Sequence, residues 1–99
     1  MSAPEPKVEE LQVTAIVVRD RLRPVTEAGV ETLLASIRDI GAIKDEIHVR
    51  SARRGGKVEL RLLAGAHRLE AARRLGWETI QAKVWRDIPD TLARLVEVD

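Results

Sequence analysis

The sequence predicts a single domain that mixes helices with strands, and three observations carry that prediction. The chain has 99 residues, enough for one hydrophobic core and not for two. Its apolar residues change period along the chain. Val30, Leu33, Leu34, Ile37 and Ile40 recur at helical intervals, whereas the segments around Ile47–Arg50 and Val58–Leu62 alternate as strands do. Between Leu62 and Val84 the pattern switches twice, which reads as strand, glycine turn, helix and strand in immediate succession.

Each element has a local reason. Residues 1–10 hold two prolines and four charges without a period, and are expected to form a disordered lead-in. Leu11 to Val18 is rich in Val, Ile and Thr and reads as a strand. A loop follows that carries Arg19, Arg21 and Arg23. The planar guanidinium suits phosphate, so this loop reads either as an anion-binding element or as a solvated connector. Thr26 is the expected N-cap of a helix over 26–40, Glu27 sits in the first turn where the dipole favours a carboxylate, and Gly41 closes it. Thr32 and Ser36 lie four apart off the apolar face, so their hydroxyls point the same way.

The second half is more compact in its punctuation. Ile47–Arg50 is a strand in which His48 is expected to face outward. Residues 51–57 form a hairpin turn, and the strand from Val58 to Leu63 returns. A helix over 66–75 pairs Leu69 with Ala72 and Ala71 with Leu75, and Gly76 stands at the left-handed position that ends helices. Thr79–Val84 is the next strand, which the chain leaves at Trp85. Asp90 reads as the N-cap of a last helix over 90–98, apolar at Leu92, Leu95 and Val96. It reaches Asp99 without a glycine or a basic last turn, which reads as a clipped helix.

Composition excludes several chemistries. There is no cysteine, so disulfides, thiolate metal sites and cysteine nucleophiles are out. Two histidines, His48 and His67, lack the third ligand that a zinc site needs. Two Trp with no Phe or Tyr make the core aliphatic and leave no base-stacking platform for single strands. No apolar run is long enough to cross a membrane and no signal segment is visible, so the expected address is cytoplasmic. The net charge of +1 hides a basic middle: Arg50, Arg53, Arg54, Lys57, Arg61, Arg68, Arg73 and Arg74 stand against Glu59 and Glu70. Arg53, Arg54, Arg73 and Arg74 are therefore candidates for contact with DNA or another polyanion. The alternative is that they solubilise a hairpin and a helix face, with Glu70 paired to Arg73 or Arg74.

The junction Gly65-Ala66-His67-Arg68 is the sharpest functional signal. The first N–H groups of a helix lack intrahelical partners and the dipole makes that end partly positive. A glycine there lets an anion approach the backbone, and His67 and Arg68 add donors, so phosphate is a natural guest. Spacing alone leaves a second reading open, in which Gly65 only makes a turn, His67 is locally bonded and Arg68 is solvated.

Two boxes in order carry a resemblance. Ser36-Ile37-Arg38-Asp39-Ile40-Gly41-Ala42-Ile43, followed by Ile47–Arg50, resembles the first conserved box of ParB-type partition proteins. Leu63-Ala64-Gly65-Ala66-His67-Arg68-Leu69-Glu70-Ala71-Ala72-Arg73-Arg74-Leu75-Gly76, then Glu78-Thr79-Ile80, resembles their Gly-Glu-Arg-Arg box. The similarity runs from about Val13 to Val98. Sulfiredoxin shares the fold, and its Gly-Cys-His-Arg is matched except at Ala66.

The resemblance implies an α+β fold of ParB/sulfiredoxin type, a small mixed sheet packed with helices over about 26–40, 66–75 and 90–98. It also implies a bound nucleoside triphosphate, CTP as in ParB or ATP, with or without Mg2+. By position, Gly65, Ala66, His67 and Arg68 are the expected phosphate seat and Arg21 and Arg23 a second contact. Thr32 and Ser36 match hydroxyl residues that face ATP in sulfiredoxin. Ala66 removes the sulfiredoxin cysteine and with it sulfinic-acid reduction. Ala66-His67 also replaces the Glu-Arg pair of the ParB box. The third ParB box would begin about where Asp99 stands, and the helix-turn-helix lies outside the 99 residues. DNA contact is therefore expected through regions outside this chain, and a homodimer on ligand binding is a further implied state. The expected role is a nucleotide-binding regulatory module in a bacterial partition or transcription-control protein. Two alternatives stand beside it: a ParB-like nuclease, NTPase or phosphotransferase, with Glu70 the candidate carboxylate ahead of Asp45 and Glu46, and a degenerate module that binds only a protein partner.

Overall fold

A computed structural model describes residues 5–18, 25–40, 46–86 and 88. In chain order the elements are β1 (Lys7–Gln12), a 3-10 turn (Val13–Ala15), β2 (Ile16–Val17), α1 (Glu27–Ile40), β3 (Ile47–Arg54), β4 (Lys57–Ala64), α2 (Ala66–Arg74) and β5 (Thr79–Arg86). The five strands form one mixed sheet in the order β1-β5-β3-β4-β2. β1 with β5 and β3 with β4 are antiparallel, and β5 with β3 and β4 with β2 are parallel. This is the mixed α+β architecture that the sequence predicts.

The β3–β4 hairpin is tighter than expected. Arg54 pairs with Lys57, so the loop is Gly55-Gly56 alone, both at positive φ (58° and 80°). A two-residue loop of that hand matches the strand twist and needs glycine-like conformations. β5 likewise runs on through Trp85 to Arg86, because Arg50 and Ser51 of β3 continue the ladder beside them.

At the other edge the sequence reading needs correction. Lys7–Glu10, placed in a disordered lead-in, belong to β1 and pair with Val84 through Gln81 of β5. The expected single strand over 11–18 is broken by the 3-10 turn at Val13–Ala15 and resumes as the short β2 on the opposite edge. β1 escaped detection because its side chains are mostly exposed on both faces, which removes the alternation that marks a half-buried strand. The backbone ladder holds it, assisted by Arg86 donating to the Glu9 carboxylate and Thr79 donating to Glu10. The expected helix over 90–98 lies outside the described residues.

The core explains why α2 is short and alanine-rich. It is sandwiched: Ala66, Leu69 and Ala72 pack on Ile47, Val49, Leu62, Ile80, Ala82 and Val84 of the sheet. Its other side meets α1, where Ala71 packs with Val30, Leu34 and Ile37. Small side chains on both faces allow the close approach of sheet, α2 and α1 in three layers. Gly76, at φ 75°, ends α2, and its neighbour Trp77 donates its N–H to Ala72 O at 3.0 Å. On the far side of the sheet, Leu63, Ile88 and Trp85 form a small separate cluster.

Candidate functional site

The β4–α2 junction is set by one glycine. Gly65 is the N-cap of α2 at φ 100°, ψ 31°, a conformation that L side chains rarely adopt. A Cβ there would lie 2.7 Å from Ile47 Cγ2 and 3.1 Å from Ile47 Cβ. The first intrahelical bond of α2 runs from Leu69 N–H to Gly65 O at 3.0 Å. The N–H groups of Ala66, His67 and Arg68 precede that bond and form the positive end of the helix. Ala66 is buried in the core, so of its groups only the backbone can serve a ligand. His67 and Arg68 are half-buried.

The structure brings a second helix start to the same place. Thr26 caps α1: its Oγ1 accepts from Gly29 N–H at 3.1 Å. Its own backbone N–H donates to His67 Nε2 at 3.2 Å, and its hydroxyl lies 3.4 Å from the same nitrogen. Gly29 leaves the space that the imidazole fills, since a Cβ there would fall 2.5 Å from His67 Cδ2. Thr32 and Ser36 follow Gly29 at +3 and +7 and share its stripe of α1. Both are exposed, and Thr32 Oγ1 donates to Ala28 O at 2.9 Å. Gly29 is the member of this group that sequence reasoning missed. A glycine within an amphipathic helix costs about 1 kcal/mol relative to alanine, and that unexplained cost was the available signal.

The other candidates divide. Arg74 Nη1 and Nη2 grip the Glu27 carboxylate at 2.9 and 2.6 Å, while its Nε donates to Glu70 at 3.0 Å. Arg73 adds a looser contact to Glu70 at 3.8 Å. The Arg74 guanidinium holds the Glu27 carboxyl below its ordinary value, and the two carboxylates raise Arg74 in turn. Arg74 therefore ties the start of α1 to the end of α2, and Glu70, the candidate catalytic carboxylate, sits within arginine contacts on its own helix. Arg53 is exposed on β3 and lines an open groove of about 490 Å³ with Arg50 and Arg86, away from the α2 N-terminus. Arg54 ends β3. Arg21, Arg23 and Asp45 lie outside the described residues. Among the described residues no three of His, Cys, Asp or Glu converge as a metal site, and no helix is long and apolar enough to cross a membrane.

His48 departs from the outward role expected of it. It is half-buried, its Nδ1 accepts from Trp85 Nε1–H at 3.0 Å, and the two rings stack with centroids 6.1 Å apart. Burial pushes its pKa below the ordinary 6.5, with the charges of Lys83 and Arg68 acting the same way and Glu46 opposing. The folded state thus favours neutral His48, and the unfolded chain takes up the proton more readily. Stability contributed in this way is present above pH 6.5 and falls as the pH drops from there toward the lower folded value. Thermal unfolding between pH 7.5 and 5.5 should show that decline. His48→Asn, which keeps an acceptor near Trp85 without a titrating ring, should flatten it, and an equal slope in the variant would refute the assignment. Below pH 4.5 a different loss sets in, as Glu9 and Glu27, both held low by arginine hydrogen bonds, become protonated.

Comparison with known proteins gives the geometry its context. Residues 2–98 match the ParB N-terminal domain family. The chain belongs to that family. Sulfiredoxin from Arabidopsis thaliana is 32% identical, with a TM-score of 0.68 over 88% of this chain and 93% of its own. The C-terminally truncated chromosome-partitioning protein ParB from Caulobacter crescentus, complexed with CTP-γ-S, is 26% identical with a TM-score of 0.73, covering 92% of this chain and 50% of its own. The ParB N-terminal domain described here thus spans half of that partition protein. A free serine kinase in complex with AMP shares the fold at 11% identity and a TM-score of 0.66, over 81% of this chain and 31% of its own. No curated protein sequence matches the chain.

Proposed function

We propose that this domain binds a nucleoside triphosphate, CTP or ATP, at the N-terminus of α2 and serves as the nucleotide-responsive module of a ParB-like partition or transcription-control protein. The observation that carries the reading is Gly65, a buried left-handed N-cap from which the N–H groups of Ala66, His67 and Arg68 start a helix. The Arg68 guanidinium adds a fork suited to phosphate oxygens, and Arg21 and Arg23 supply the second phosphate contact. Thr32 and Ser36 flank the nucleotide on the Gly29 stripe of α1. Any Mg2+ arrives on the phosphates, as is usual for that ion. The ParB complexed with CTP-γ-S supports the ligand class by analogy.

The mechanism is a switch. A triphosphate held by α2 and by the segment before α1 fixes those elements relative to each other, and a partner surface reads the result. DNA contact comes through regions outside these residues, Arg53, Arg54 and Arg73 being the basic positions nearest to a second role. A homodimer formed on ligand binding and a cytoplasmic setting complete the proposal.

Thermal shift and calorimetry with CTP, ATP, GTP and their diphosphates, with and without magnesium, test it. A selective response to CTP or ATP is expected. At ligand concentrations about 100-fold above Kd the stabilisation is about 2.7 kcal/mol, which in a domain of this size moves Tm by roughly 10–20 °C. No response to any nucleotide would overturn the reading in favour of a domain that binds only a protein partner.

A further inference from the structure

We infer that His67 is a positioning residue for the nucleotide site, held as the Nδ1-protonated neutral tautomer by Thr26 in a seat that only Gly29 leaves open. The inference rests on the proposed nucleotide-binding role. Its grounds are geometric. Both donors of Thr26, the backbone N–H at 3.2 Å and the hydroxyl at 3.4 Å, address Nε2. A nitrogen that accepts cannot carry the proton, so the ring of a neutral His67 keeps it on Nδ1. His48 has the opposite arrangement, since its Nδ1 accepts from Trp85. The chain's two histidines therefore carry opposite tautomers.

The consequence reaches the ligand. The first turn of α1 is held against the first turn of α2 through one imidazole, so the two helix starts move as a unit. Gly29 controls this from 38 residues away: a Cβ there would stand 2.5 Å from Cδ2 and 2.7 Å from Nε2 of His67, and the ring must swing out. An alanine at this point would otherwise favour the helix. The glycine is retained for the histidine's sake.

The test combines three measurements on the wild-type chain, Gly29→Ala, His67→Ala, His67→Gln and the double variant Gly29→Ala/His67→Ala. Nitrogen-15 NMR of the ligand-free protein should show Nδ1–H for His67 and Nε2–H for His48. Calorimetry with CTP and ATP should show affinity reduced about tenfold in Gly29→Ala and in His67→Ala, the scale of one lost hydrogen bond. The double variant should be no worse than either, and His67→Gln, whose Oε1 can take the place of Nε2, should recover most of the loss. Thermal unfolding without ligand should show Gly29→Ala raising Tm only when His67 is already alanine. An Nε2–H tautomer at His67, or losses that add in the double variant, would overturn the inference while leaving nucleotide binding intact. If the wild-type chain binds neither nucleotide, the functional reading falls and the positioning role with it. The tautomer and Tm pattern then report on the tie between helices alone.

Discussion

Gly65→Ala is expected to destabilise the fold by roughly 2–5 kcal/mol, the sum of a left-handed backbone penalty of about 1–2 and an overpacking penalty of about 1–3. The two contributions are separate. At φ 100° any L side chain strains its own backbone. The added methyl would also stand 2.7 Å from Ile47 Cγ2 and 3.2 Å from Ile47 Cα, and Ile47 is fully buried between the sheet and α2. The first clash is with a side chain, but one packed on all sides, and the last is with backbone. Neither can relax as a surface group would. A domain of this size has a total stability of only about 5–15 kcal/mol, so the loss should lower Tm by 10 °C or more. Urea unfolding of the variant measures it directly. A second substitution separates the two causes: Ile47→Val in the Gly65→Ala background removes the Cδ1 methyl and leaves Cγ2, so little should be recovered. Ile47→Ala relieves the clash and trades it for a cavity. A Gly65→Ala chain as stable as the parent would mean that this junction is not the constrained seat described.

The ease with which such features can be read from sequence varies for physical reasons. The helix over 26–40 and the one over 66–75 declare themselves because their apolar residues face neighbours at helical spacing, and the observed ranges, Glu27–Ile40 and Ala66–Arg74, differ only at the ends. Gly65 was visible as a glycine before a helix, but its necessity comes from Ile47, 18 residues earlier, which no local pattern reports. The same holds for Gly29 and His67, and for Glu27 and Arg74, whose pairing joins residues 47 apart. β1 was missed at Lys7–Glu10 for the opposite reason: an exposed edge strand has little to bury, and its hydrogen bonds leave no mark on composition. His48 was misplaced because an alternating strand tells which residues share a face, not that the face carries Trp85. Patterns of burial are written locally; the contacts that build the site are written in pairs.

Arg68→Ala should abolish detectable nucleotide binding while leaving the fold intact. Arg68 stands in the first turn of α2, half-buried, on the helix that Gly65 starts. In the proposed complex its guanidinium meets phosphate oxygens two at a time. Charge-assisted hydrogen bonds contribute about 1.5–3 kcal/mol each, so a bidentate pair is about 3–6 kcal/mol, a loss of roughly two to four decades in affinity. The core does not depend on this side chain. The residues of α2 packed on the sheet are Ala66, Leu69 and Ala72, and Ala71 packs on α1. Unfolding of the ligand-free variant should therefore stay close to the parent, which distinguishes it from Gly65→Ala, where binding and stability fall together. Arg68→Lys refines the argument, because a lysine keeps the charge and loses the fork. Partial binding in Arg68→Lys would assign part of the arginine's role to charge, and binding as weak as in Arg68→Ala would assign it to bidentate geometry. Unchanged calorimetric binding in Arg68→Ala would remove the phosphates from this helix start and move the search to Arg53 and its groove.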